Sequence, residues 1–203
     1  MANIIPFRRR PGEDWKQTLR LFWNASLNRL SDYLTIMQKE IKMHDLKIDA
    51  PVGKPFVTIT RTFNAPRALV WKALSEPEHA VRWWGPHNHK NRVLEWDWRV
   101  GGRYKIESII SDGSKIVFFG DYLEIEAPSK VTQTFSFDQL PPGAHSVDAV
   151  TLTEKDGKTI YTNVSTLPDV ESRDGMVASG MEVGIVEGFE RLDQMLEDWK
   201  VSA

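Results

Sequence analysis

The stretch "APRALVWKALSEPEHAVRWWGP", Ala65–Pro86, is where the chain changes periodicity, and its reading decides the fold. Pro66 suits the first turn of a helix, where a missing N–H leaves no bond unmade, and Asn64 just ahead of it is a candidate cap. A short helix is expected from Pro66 to Leu74. Glu76-Pro77 opens a second one, which runs into the stop signal Trp83-Trp84-Gly85-Pro86. Trp71, Trp83 and Trp84 lie on these helices, and such side chains belong mostly in a core, each buried indole needing an acceptor for its N–H.

Outward from this pair the pattern is β. Upstream, "FVTITRTF" (Phe56–Phe63) alternates and is β-branched, so it reads as a strand. Downstream come strand-like runs over Val93–Val100, Arg103–Ile110, Lys115–Glu126, Val131–Phe137, Val147–Glu154 and Thr159–Thr166. Gly101-Gly102, Asp112-Gly113, Ala127-Pro128, Pro141-Pro142-Gly143 and Asp156-Gly157 separate them, and Asp-Gly between alternating runs is a strong hairpin signal. From Val170 to Lys200 the apolar residues Met176, Met181, Ile185, Phe189, Leu192, Leu196 and Trp199 return to helical spacing. A strand, two short helices, a six-strand meander and one long helix make an α+β fold: an antiparallel sheet with a helix laid across one face.

The first 49 residues read differently. From Trp23 the apolar positions Leu27, Leu30, Leu34, Met37 and Ile41 follow spacings of 4, 3, 4, 3 and 4, a heptad stripe on a separate N-terminal helix. Pro11-Gly12-Glu13-Asp14 sits where such a helix starts. A stripe of this kind must be buried, on its own domain or on a second copy, and a homodimer seam is expected through Leu27, Leu30, Leu34, Met37 and Ile41. Ala50–Pro55, with two prolines and a glycine, is a linker or a sharp turn. The expected division is 1–49 helical extension, 50–55 linker and 56–200 folded domain.

Bulk composition narrows the function classes. The 203 residues carry a net charge of −2, so nothing global draws the chain to nucleic acid or to an anionic membrane. Residues 1–54 hold 10 Lys/Arg against 6 Asp/Glu, and the remainder 16 against 22. With no cysteine, disulfides and thiolate metal sites are excluded. Neither a signal-type apolar core near the start nor an 18-residue apolar run is present, so a cytoplasmic protein is expected.

"APRALVWKALSEPEHAVRWWGP", followed by "VLEWDWRVGGRY", "GDYLEIEAPSKV" and a glycine-bearing last helix, resembles the SRPBCC (START-like, Bet v 1-like) superfamily. Its branch is similar to the activator of the heat-shock-protein-90 ATPase, C-terminal-domain-like proteins. The resemblance covers about Phe56 to Trp199. It implies a helix-grip fold, in which a curved sheet wraps the long C-terminal helix and leaves a cavity. "FWNASLNRLSDYL" is more faintly similar to the dimer-forming helix of ArsR-type repressors. Only 14 residues precede Trp15, the first apolar position of this helix, which leaves no room for a recognition helix, so DNA binding is not expected.

Alternation and the resemblance together name the residues expected to line a cavity. After Gly101-Gly102, Tyr104, Ile106 and Ser108 share one face against charged Arg103, Lys105 and Glu107, and the first set is taken as inward. Trp96 and Trp98 precede that turn, and Trp83 closes the end. Phe119, then Gln133, Phe135 and Phe137, supply the next strands. In Thr159–Thr166 periodicity alone leaves the inward face open, and the family alignment favours Tyr161 and Asn163. Met181, Gly184 and Ile185 come from the last helix. Gly180, Gly184 and Gly188 each cost about 1 kcal/mol against alanine there, which points to close approach of the sheet or room for a ligand. Asp97 and Arg99 fill the family's acid and arginine positions, as an ion pair at a strand end or as a polar anchor.

His87-Asn88-His89 has three letters of a nuclease motif, but that motif spreads its histidines over a ββα finger. A polar loop is the expected reading, and the metal alternative would need His79, His87 and His89 to converge with Glu76 or Glu78. No catalytic constellation, metal or cofactor is expected. The leading expectation is a non-enzymatic carrier or sensor of a small hydrophobic or aromatic molecule. A cyclase or aromatase using Tyr161, Asn163 or Asp97, and a module stimulating a chaperone ATPase in a stress response, are the alternatives.

Overall fold

The computed structural model describes residues 46–201. The N-terminal stripe and the dimer seam expected from it lie outside the described residues. The elements are β1 (Lys47–Asp49), β2 (Phe56–Phe63), α1 (Arg67–Ser75), α2 (Pro77–Trp83), β3 (Lys90–Trp96), β4 (Arg103–Ile109), β5 (Lys115–Glu126), β6 (Lys130–Phe137), β7 (Ser146–Lys155), β8 (Lys158–Thr166), α3 (Val170–Ala178) and α4 (Met181–Val201). All strands join one antiparallel sheet in the order β1-β2-β8-β7-β6-β5-β4-β3. This is the expected α+β helix-grip arrangement, with a curved sheet against a long C-terminal helix.

Four local readings change. β1 falls in residues assigned to the N-terminal extension: Ile48 pairs with Ile59 and packs on the core, so Pro51–Pro55 is a turn between paired strands. Asn64 does not cap α1. Pro66 stays extended at ψ 148°, the helix starts at Arg67, and the Asn64 amide turns to Glu197 instead. β3 begins and ends earlier than expected, because Asp97–Gly102 folds into a turn closed by Arg99 N–H to Asp97 O and Gly102 N–H to Arg99 O. The last helix is two helices, since Gly180 at φ 80° leaves the right-handed region after α3.

The two faces of the sheet separate as alternation requires. Val57, Ile59 and Phe63 on β2, Tyr104 and Ile106 on β4, and Val150 and Leu152 on β7 point inward and are buried. α4 covers them with Phe189, Leu192, Met195 and Leu196. The outer face of β3 to β6 carries cross-strand ion pairs instead: Arg92–Glu107 at 2.7 Å, Arg103–Asp121 at 2.8 Å and Lys130–Glu124 at 2.7 Å. β3 and β5 each shift register at a bulge, between Val93 and Glu95 and between Tyr122 and Glu124. A bulge bends its strand and sharpens the twist, which lets the sheet curve around the helix.

Gly120 fixes the middle of that curve. A Cβ there would lie 1.8 Å from the Thr134 carbonyl oxygen and 2.7 Å from the Tyr104 ring. Tyr104 lies across the glycine and donates its hydroxyl to that same carbonyl at 3.0 Å. Gly120→Ala is expected to destabilise the fold by about 3 kcal/mol, because a backbone atom rather than a flexible side chain must give way. A urea titration would read this as a large drop in midpoint with an unchanged slope.

Candidate functional site

The site is built from the turn between α2 and β3. Trp84, Gly85 and Pro86 end α2 with outward carbonyls, and Gly85 takes φ 66°. Arg191 on α4 donates to all three, at 3.2, 3.4 and 3.1 Å. From β3, Asn91 donates to Val81 O at 3.2 Å and Trp84 O at 2.7 Å, while Ser108 donates to the Asn91 side-chain oxygen at 2.6 Å. The glycines of α4 serve the same contact. A Cβ on Gly188 would lie 3.0 Å from Trp83 O, and one on Gly184 would lie 3.8 Å from Pro86. Close approach is thus the role of Gly188, toward this turn rather than the sheet; at Gly184 a Cβ would make only an ordinary contact, and Gly180 lies in the break before α4.

Held this way, Trp84 is wedged over the inner face. Its ring centroid lies 6.3 Å from Tyr104, 5.9 Å from Phe118 and 6.3 Å from Phe135. The interior then has two unlike ends. Beneath the C-terminal half of α4 it is closed. Phe63, Tyr161 and Phe189 meet edge to face, with Phe189 centroids 5.3 Å from both partners. Trp96, Trp98, Tyr104 and Tyr122 form a second packed cluster, with Trp96 stacked on Trp98 at 5.9 Å. The Trp96 and Trp83 indoles are occupied, donating at 2.9 Å to Ser75 O and to Ala73 O.

At the other end, toward Phe56, Thr166 and Ser146, the inward residues are incompletely covered. Phe118, Gln133, Phe135 and Phe137 are half-buried, as are Met181 and Ile185 at the start of α4. Against this aromatic side stands a buried polar group on β7 and β8. Asp148 Oδ1 accepts from Ser146 Oγ at 2.9 Å and Ser165 Oγ at 2.6 Å, and Asn163 Nδ2 donates to Ser165 Oγ at 3.4 Å. Burial pushes the Asp148 carboxyl up from its ordinary 3.8 despite the two serine hydroxyls, which pull the other way. Tyr161 is pushed up as well, by burial first and by Asp148 second.

The residues expected from sequence therefore divide. Gln133, Phe135 and Phe137 on β6 are inward and half-buried, Asn163 on β8 is buried, and Met181 and Ile185 are half-buried and pack against the main core. Trp83, Trp96, Trp98, Tyr104 and Tyr161 are packed into the closed part, Ile106 is buried in register with Phe118 outside that cluster, and Gly184 faces Pro86. Phe119 is on the outer face, in register with Lys105 and Ser136; Phe118 is the inward member of the pair. Asp97 pairs with Arg99 at 2.8 Å on an exposed turn, so it does not join Tyr161 and Asn163. Sequence reasoning missed Phe118, Ser146 and Asp148, and it chose Trp83 rather than its neighbour Trp84. A signal for Asp148 existed: Val150 and Leu152 set an inward phase on β7 that carries it.

The histidines do not converge. His87 lies 2.9 Å from Glu190 on α4, and His79 lies 3.1 Å from Glu76 with its ring 4.7 Å from Trp199. Among the described residues Glu76, Glu78 and His79 are the one such group that draws together, within 4.8 Å. A shallow groove of about 500 Å³ along Arg82, His87, Glu190 and Gln194 lies on the solvent side of α2 and α4. No helix among the described residues is long and apolar enough to cross a membrane.

A curved antiparallel sheet gripping a C-terminal helix, with an inner face part aromatic and part polar, defines the SRPBCC, Bet v 1-like class. Within it the chain belongs to the family described as Activator of Hsp90 ATPase homolog 1-like protein, whose model matches residues 64–197. A crystal structure of a Mycobacterium smegmatis protein is similar at 25% identity and a TM-score of 0.69, over 75% of this chain and 96% of that one. A solution structure of an Arthrobacter aurescens protein is similar at 27% identity and 0.70, over 75% and 91%. A Rhodobacter sphaeroides protein at 21% identity and 0.70, over 76% and 99%, shares the fold. No curated protein matches the chain.

Asp148 makes stability depend on pH. A carboxyl raised by folding contributes fully below its unfolded value and loses that contribution as pH rises through the folded one. Asp148→Asn is therefore expected to melt at a higher temperature than the native chain at pH 7, with the gap closing as pH falls to the ordinary 3.8. Thermal melts across that range check it, and a constant gap would contradict it.

Proposed function

We propose that the chain binds a small hydrophobic or aromatic molecule between the sheet and the N-terminal half of α4, as a non-enzymatic carrier or sensor. The observation carrying this reading is the unequal covering of one inner face. Leu192 and Leu196 seal the far end completely, while Phe118, Phe135 and Phe137 point inward yet remain half-buried. Apolar area left this way is a standing gain for any ligand that covers it, about 25 cal/mol per Å². Aromatic walls with a few convergent polar groups are the usual make-up of such a site. The family description also names a chaperone ATPase. Exposed Val100 and Leu123, brought near by the Gly101 N–H to Tyr122 O bond at 2.8 Å, are the apolar pair a protein partner would meet.

A fused-ring aromatic probe is expected to bind the full chain one to one and to quench tryptophan emission through Trp84. Phe118→Ala should weaken that binding about tenfold or more, whereas Phe119→Ala, on the outer face, should leave it unchanged. Equal effects of the two substitutions, or no saturable binding, would overturn the assignment of the site.

A further inference from the structure

The polar side of the same space has a hydrogen-bond imbalance. Both serine protons are committed to one atom: Ser146 and Ser165 donate to Asp148 Oδ1. Asn163 donates to Ser165, and its own Oδ1 is buried with no partner. Turning the amide over does not cure this, because Oδ1 would then face a serine oxygen whose proton already points at Asp148. Asp148 Oδ2 accepts none of the described hydrogen bonds, and no lysine or arginine pairs with this carboxyl among the described residues. Its neighbour in register on β6 is half-buried Gln133. Buried acceptors in native proteins are nearly always met by a donor, so the stranded Asn163 oxygen, linked through Ser165 to a carboxylate with one oxygen unengaged by the described hydrogen bonds, specifies what is absent.

Building on the ligand-binding reading, we infer that the ligand carries a hydrogen-bond-donating group, a hydroxyl or a protonated amine, and seats it on Asp148 Oδ2 and Asn163 Oδ1. Its apolar body lies against Trp84, Phe118 and Phe135. A donor there makes a charge-assisted bond to the carboxylate and relieves the stranded amide oxygen. An ether or a bare ring of equal size offers the carboxylate no proton and leaves the Asn163 oxygen unpaired, and sites built around a donor discriminate strongly against analogues lacking it.

Calorimetric titration of the full chain with 2-naphthol, 2-(aminomethyl)naphthalene and 2-methoxynaphthalene tests this. One of the first two is expected to bind at least about tenfold more tightly than the methoxy compound. Preference for the amine assigns the donor as a cation, and Asp148→Asn should then abolish that preference. Preference for the naphthol assigns a neutral hydroxyl, and Asp148→Asn should largely keep it. Equal affinity for all three would overturn the inference while leaving the pocket standing, since water would then serve the acceptors. Failure of all three to bind would overturn both. The native chain alone decides between these outcomes, whatever the folding of the substituted protein.

Discussion

The Arg191 guanidinium against the carbonyls of Trp84, Gly85 and Pro86 is the contact on which the arrangement of this molecule turns. A helix end exposes carbonyls that its own ladder cannot serve, and burying them unpaired is costly. Here the end of α2 is half-buried against the last helix, so side chains serve them in place of part of the water. Arg191 approaches from α4 and Asn91 from β3, so the two elements the turn joins are tied to a helix far along the chain. A hydrogen bond to a charged group contributes about 1.5–3 kcal/mol. Burial lowers the Arg191 pKa, yet arginine keeps its charge at any physiological pH, so the contact is permanent.

That contact divides the interior. Fixing the turn fixes Trp84, and Gly188 lets α4 come down beside it. From there the helix runs over Phe63 and Tyr161, and a buried ion pair between Arg61 and Asp193 ties it to β2. Its C-terminal half is pressed onto the sheet by Leu192 and Leu196. Its N-terminal half begins after Gly180 and meets the turn rather than the strands beneath. The sheet there still offers aromatic side chains, Phe118, Phe135 and Phe137, that stay half-buried, while Met181 and Ile185 are half-buried and pack against the main core. A fully buried core and a half-buried aromatic face thus lie on one sheet, with Trp84 set against Tyr104, Phe118 and Phe135.

Much of this was legible in the sequence, for identifiable reasons. Long alternating runs with Asp-Gly turns placed β4 to β8, and inward Tyr104 and Ile106 followed from charged neighbours on the other face. Failures cluster where strict alternation breaks. Counting by twos back from inward Ile125 selects Phe119, but the bulge after Tyr122 reverses the phase and turns Phe118 inward. Gly184 and Gly188 signalled close packing, but spacing alone cannot say against what. Three-residue β1 is too short to carry a pattern, and it borrows its register from β2.

Asp148 was missed for a different reason. Pattern reading assumes that polar residues face water, and on β7 that assumption competes with the phase of Val150 and Leu152. The apolar pair wins, because two large side chains placed outward would forfeit more area than one carboxyl costs. Burial still costs, as the raised pKa records. A chain selected for stability alone could place alanine or valine there, as it does at Ala149 and Val150. Two serines and an asparagine arranged around the carboxyl soften the cost without removing it. A polar group is thus kept where packing would prefer none, on the inner face that carries the half-buried Phe118, Phe135 and Phe137, and the proposed binding of a ligand there would give that cost a purpose.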